Sequence, residues 1–171
     1  MLLLASCVAA VTLVSSGGCI TTTPIEFEAA QNYPPSVVSE PTAEFPLNRI
    51  GRLDLDVPVD APEMPLEVIV RDPNLDQTLV YRMFLDSPPA PDIPFTADEI
   101  TPSGFVERPT VLFVPYDRLT AGECHRIELV VTGQFANFVT RRPEEEGDFD
   151  DATWWVEVVD ADNPVITEDC R

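Results

Sequence analysis

The sequence predicts an all-β domain, a two-layer antiparallel sandwich of about seven short strands. Three observations carry that prediction. The 171 residues include 18 prolines, a density that forbids long helices and punctuates short strands. Apolar residues recur with a period of two in one run after another, and no stretch sustains the 3.6-residue period of an amphipathic helix. Pro, Gly, Asn and Asp collect between the runs, where turns belong. An apolar share of 44% supplies a core and argues against global disorder.

The elements follow in order. Asn32-Tyr33-Pro34-Pro35-Ser36-Val37-Val38 leads into a first strand at an edge, where a proline start is tolerated. Arg52 to Val59 alternates cleanly, with Leu53, Leu55, Val57 and Val59 on one face; Pro58 assigns it to an edge as well. Leu66 to Val70 is the next run. Leu79 to Asp86 places Tyr81, Met83 and Leu85 on one side and Val80, Arg82 and Phe84 on the other, so this strand is expected to be central in its sheet and partly covered. Ser87 to Pro94 is too rich in proline to hold a hydrogen-bond ladder and reads as a stiff crossover between sheets. Thr110 to Val114 is a strand, and Leu119 to Val131 brings a Gly122 turn followed by His125, Ile127, Leu129 and Val131 on one face. Thr153 to Val159 closes the set, with Trp154 and Trp155 on opposite faces, one in the core and one at the surface.

The stretch Leu119-Thr120-Ala121-Gly122-Glu123-Cys124-His125, with its alternating continuation, resembles the E–F corner and strand F of immunoglobulin-like and fibronectin type III-like sandwiches. His125 stands where those families carry the corner Tyr. The resemblance implies a single immunoglobulin-like β-sandwich within residues 34–171. His125 is the sole histidine, has no Ser or Cys nucleophile motif around it, and reads as structural.

The charge is lopsided. Thirty acidic residues face ten basic ones, all Arg, for a net charge of −20. A field of that sign repels nucleic acid and anionic headgroups and attracts cations or a basic protein. The plain reading of it is a solubilising acidic surface.

Leu2 to Val14 is an apolar run of about 13 residues, the length of a signal-peptide core and short of the roughly 20 needed to span a bilayer. It ends in Ser15-Ser16-Gly17-Gly18-Cys19, which resembles the lipobox of bacterial lipoproteins. That resemblance implies a signal peptide over 1–18, lipidation at Cys19, and a lipidated tether over 19–33 that anchors the domain to a membrane. By resemblance to enteric lipoprotein sorting, Ile20 after the Cys, in place of an Asp, implies the outer membrane. Ordinary secretion, with cleavage nearby, is the alternative. Of the four cysteines, Cys7 lies in the leader and Cys19 at its end. Cys124 and Cys170 then remain for the exported domain and are expected to form one disulfide.

The candidate sites are few. Asp72-Pro73-Asn74-Leu75-Asp76 resembles the Asp-Pro-x-x-Asp turns of cadherin-like sandwich domains, which implies calcium ligands at Asp72, Asn74 and Asp76. Gln77 and Met83 do not fit an EF-hand loop, and a turn held by Asx hydrogen bonds is the simpler expectation. Gly133 to Asp151 is the longest connection, and loops of that length are commonly functional. Its Phe135, Phe138 and Phe149, with Glu144, Glu145, Glu146 and Asp148, form a candidate surface for a basic or cationic partner. No residue pattern marks a catalytic centre, a zinc site or a cofactor. The sequence therefore reads as a non-enzymatic envelope module that binds or positions a protein partner. A calcium- or carbohydrate-binding surface module is the alternative.

Overall fold

The computed structural model describes residues 32–57, 62–86, 93–164 and 170; the leader, Cys19 and the tether up to residue 31 lie outside the described residues. Among the described residues eight strands follow one another: β1 (Ser36–Ser39), β2 (Ile50–Asp54), β3 (Glu63–Arg71), β4 (Leu79–Leu85), β5 (Thr96–Ile100), β6 (Glu107–Pro115), β7 (Cys124–Thr132) and β8 (Phe149–Val159). A 3-10 turn, Tyr116–Arg118, leaves β6. The strands form two sheets, β1-β3-β6 and β2-β8-β7-β4-β5. All pairings are antiparallel except β2 with β8, which run parallel.

Alternation builds the core. Met64, Leu66, Val68 and Val70 of β3, with Leu112 and Val114 of β6, turn one buried face of the small sheet inward. Ile127, Leu129 and Val131 of β7 and Trp154, Val156 and Val158 of β8 do the same for the large sheet. Each such side chain, fully buried, contributes about 1.5–3 kcal/mol. Trp154 also donates its indole N–H to the Phe45 carbonyl at 2.9 Å. Phe45 lies so close over β2 that a Cβ at Gly51 would stand 2.5 Å from its ring, so a glycine is required there. Trp155 faces outward beside Arg126, its cross-strand partner on β7.

Several sequence expectations need correction. The described residues hold eight strands rather than about seven, because Thr96–Ile100 pairs with β4. Its Thr-Ala-Asp-Glu-Ile pattern is exposed at three central positions and shows no apolar alternation to detect. In consequence Ser87 to Pro94 does not cross between sheets: it joins two neighbouring strands of one sheet, and the Phe95 N–H extends their ladder to the Met83 carbonyl at 2.9 Å. Residues 87–92 themselves lie outside the described residues. The strand expected over Arg52 to Val59 begins earlier and stops at Asp54. There the Asp54 carboxylate accepts the Asp56 N–H at 3.0 Å, an Asx turn that breaks the ladder and leaves Val57 exposed. Its edge position is as expected. Phe149 belongs to β8 rather than to the preceding loop.

Prolines inside strands obey the edge rule. Pro109 lies in β6, an edge strand, and Pro65 lies on β3 beyond the end of β1, which pairs only with Val68 to Arg71. Cys124 and Cys170 form a disulfide, their Cα atoms 5.5 Å apart. It ties the C-terminal tail to the start of β7. Closing the intervening chain, a separation of 46 residues, stabilises the fold by roughly 4 kcal/mol on a chain-entropy basis.

Candidate functional site: a clamped hairpin on the outer face of the large sheet

β4 is apolar on both faces except at Arg82, and both faces are covered. Its inner face meets the core. Over its outer face folds a small hairpin, residues 134–144, from the long connection between β7 and β8. Ladder bonds run from the Ala136 N–H to the Arg142 carbonyl (3.0 Å) and from the Glu144 N–H to the Gln134 carbonyl (2.8 Å), with Phe135 bridged to Pro143. At the tip, the Asn137 carboxamide oxygen accepts the N–H groups of Val139 and Thr140, each at 2.9 Å. This is a turn closed by its own side chain.

Arg82 holds the hairpin down. Its guanidinium is buried, stacks 3.9 Å from the Phe135 ring centre, and donates to the carbonyls of Asn137 (2.6 Å) and Thr140 (2.5 Å). Burial lowers its pKa from the ordinary value. Arg141 makes the second tie, with its guanidinium 4.4 Å from the Phe84 ring centre and in a two-pronged pair with Glu128 at 2.7 and 3.0 Å. Sequence marked the aromatic residues of this loop. It did not mark Arg82, whose one available signal was a charge inside an otherwise apolar strand.

The clamp has a consequence at the tip. Phe135 is half-buried under Arg82, whereas Phe138 is 95% exposed and Val139 beside it 55% exposed. Between the tip and β5 runs a groove of about 480 Å³, lined by Arg82, Phe135 and Phe138 on one side and by Ala97, Asp98 and Glu99 on the other. The acidic residues Glu144, Glu145 and Glu146 are not at the tip. They lie at the base of the hairpin, where the Asp148 N–H closes a turn onto the Glu145 carbonyl (3.2 Å) with Gly147 at a φ of +87°. Phe149, 40% exposed, follows in β8, so the candidate residues divide into an apolar tip and an acidic base.

Asp72, Asn74 and Asp76 share a turn in which the first two side chains already have protein partners. The Asp72 carboxylate, fully buried, accepts the Asn74 N–H (2.8 Å) and the Arg108 guanidinium (2.8 Å). Arg108 also donates to the carbonyls of Gln77 (2.7 Å) and Asn74 (3.0 Å). The Asn74 carboxamide donates to the Tyr33 carbonyl at 2.7 Å. A cation on Asp72 would have to displace a buried guanidinium.

His125 is held at both ring nitrogens. Nδ1 donates to the Asp86 carboxylate (2.7 Å), while Nε2 faces the Thr120 backbone, where the neutral ring accepts the N–H (2.8 Å) and the protonated ring donates to the carbonyl (3.3 Å). Asp86 ends β4 in the left-handed region at a φ of +49°, and its other oxygen accepts the Arg126 N–H at 2.7 Å. Burial alone would lower the His125 pKa; the hydrogen bond and charge of Asp86, with Thr120 and Glu123, outweigh it and raise the pKa. Asp86 shows the mirror case. Burial would raise its pKa, and the hydrogen bond from His125, the Arg126 N–H and the charges of both residues bring it below the ordinary value.

No protein-family model matches the chain, and comparison with curated proteins finds no match. Function must be read from this geometry.

Proposed function

We propose that the chain is a lipid-anchored, non-enzymatic module of the bacterial envelope that docks a protein partner through the hairpin 134–144. One observation carries the docking reading: a phenylalanine exposed at 95% on a tip that a buried arginine fixes at both ends. An aromatic anchor presented on a rigid support loses little conformational entropy on binding, which is the character of an interface hot spot. The groove beside it has Asp98 and Glu99 opposite Phe138, so the fitting partner element is apolar with a basic flank. The sole histidine is committed at both nitrogens to structure, which supports a non-enzymatic role.

The immunoglobulin-like reading of the sandwich draws support from strand order. β7, the strand after the Gly122 corner, lies between β8 and β4, as strand F lies between G and C in that fold. His125 ties back to the Thr120 backbone five residues upstream, the job a corner Tyr performs. Lipidation at Cys19 and an outer-membrane location rest on the leader's resemblance to a lipobox. They are tested by detergent-phase partitioning, which Cys19→Ala should abolish.

For the docking site, a photo-crosslinking residue at position 138 should yield one defined adduct in the native envelope. The same residue at the exposed Leu75, on the turn that follows β3, should not. Identical adducts at both positions would sink the reading.

A further inference from the structure

At the base of the hairpin, away from its tip, three segments converge. They are the turn that ends at Gln77, the exit of β7 at Gly133–Gln134, and the turn Glu145–Asp148. Between them is a cavity of about 130 Å³ lined by Gln77, Glu144, Glu145 and Asp148, with Asn32 at its margin. Asp148 is only 8% exposed. One of its carboxylate oxygens accepts the Gly133 N–H at 3.2 Å, and its carbonyl accepts the Thr132 hydroxyl at 2.5 Å. The other oxygen, Oδ1, is buried and has no hydrogen-bond donor, and the same holds for Oε1 of Gln77. Position 133 must be glycine for the two side chains to meet here, since a Cβ would collide with the Gln77 amide nitrogen and stand 2.7 Å from Asp148 Oδ2.

A buried carboxylate oxygen with no donor lacks its counterpart. The chain has no lysine; the Arg82 guanidinium is spent on the hairpin tip, and that of Arg108 donates to Asp72 and to the carbonyls of Asn74 and Gln77. The two orphaned atoms of the cleft, Asp148 Oδ1 and Gln77 Oε1, are hard oxygens, and Glu145 adds a second carboxylate whose Oε2 accepts from Asn32 Nδ2 at 3.3 Å. A net charge of −20 concentrates cations around the domain. We infer that the cleft between Gln77, Glu145 and Asp148 is a divalent-cation site suited to calcium. Among the described residues no three Asp, Glu, His or Cys side chains converge as a metal group. The protein thus supplies a mixed, low-charge set of two carboxylates and a carboxamide, and water completes the shell. Such a set belongs to the weak calcium sites of extracellular modules, with Kd of about 10⁻⁴–10⁻³ M. This site is distinct from Asp72 and Asn74, whose oxygens are occupied, and from the docking tip.

The test is calorimetric titration of the full chain with CaCl₂, alongside thermal unfolding in CaCl₂ and in NaCl of matched ionic strength. The expected result is saturable binding in the stated range and a rise in Tm specific to calcium. Asp148→Asn, which keeps an oxygen for the Gly133 N–H, should weaken binding at least about tenfold. Should that variant not fold, Glu145→Gln, altered at an exposed carboxylate, should weaken it several-fold. Asp76→Asn and Phe138→Ser should leave it unchanged. Equal responses to calcium and NaCl, unaltered binding in both Asp148→Asn and Glu145→Gln, or loss of binding in Asp76→Asn instead would each overturn the assignment.

Discussion

Two turns in this molecule are held by the same device, and they differ in what the device leaves outside. Arg108 reaches from β6 under the turn Asp72 to Gln77 and donates to two of its backbone carbonyls. Arg82 reaches from β4 under the hairpin tip and donates to two of its carbonyls. Arg108 has a buried carboxylate opposite it, Asp72 at 2.8 Å. Arg82 has an aromatic face, Phe135 at 3.9 Å. The first arrangement neutralises its charge within the protein and closes a turn. The second leaves the guanidinium to be balanced by dipoles and a ring, and raises an apolar tip into solvent. A buried arginine can thus seal a surface or display one, and the counter-group decides which.

The comparison is broken most severely at the sealed turn. Asp72→Ala strips the counter-charge from a buried guanidinium and should destabilise the domain by about 3–5 kcal/mol in denaturant titration. A loss near zero would mean that the carbonyls suffice for Arg108 as they do for Arg82. At the displayed tip, Arg82→Met should cost less, about 1–2 kcal/mol globally. Its mark should be local: amide exchange at 136–144 should accelerate by about tenfold or more while β7 and β8 stay protected. If the hairpin keeps its protection, the Asn137 turn and Arg141 hold it without Arg82.

A third charged contact sharpens the contrast, because it titrates in an accessible range. The His125 pKa is raised on folding, so its contribution is complete below the unfolded value of about 6.5 and is lost as pH climbs through the folded one. The Asp86 pKa is lowered, so its contribution is present above the unfolded value near 3.8 and is lost as pH falls through the folded one. Stability from this pair should therefore plateau between about pH 4 and 6.5. Asp86→Asn should flatten both flanks of the melting-temperature profile. A profile unchanged in that variant would remove the pair from the ledger of pH-sensitive contacts. The smallest effect is expected at Phe138→Ser, which should alter stability by no more than about 0.5 kcal/mol. Against the partner, it should abolish capture. A large loss of stability there would show that Phe138 packs against the protein rather than waiting for one.

What the sequence disclosed follows from what physical signal each part emits. β3, β7 and β8 carry long alternating runs. On β7 the buried face is the one shared by His125, Ile127, Leu129 and Val131, as the pattern implied, whereas on β8 alternation leaves the choice between Trp154 and Trp155 open and the structure buries Trp154. β5 emits none, for its alternate positions are Ala97 and Glu99, both exposed, and its place is set by β4 rather than by itself. The aromatic residues of the long loop are visible as a motif, yet the division between a half-buried Phe135 and an exposed Phe138 depends on Arg82, more than 50 positions away. Asp148 looked like one more charge in an acidic run. Its burial follows from Gly133 and Gln77, which share no local pattern with it.

The parallel pairing of β2 with β8 bears on mechanics. β2, the second strand, and β8, the last, point the same way, so a pull that separates the start of β2 from the end of β8 loads all five of their register positions in shear at once. They cannot be unzipped one bond at a time. At the far end, the Cys124–Cys170 bond delivers tension to the start of β7 as well as to β8, so the tail drags two neighbouring strands together. In force spectroscopy with one handle attached at Asn48, just before β2, and the other at the C-terminus, the oxidised domain should yield at one high peak, and reductant should both lower that peak and lengthen the chain released.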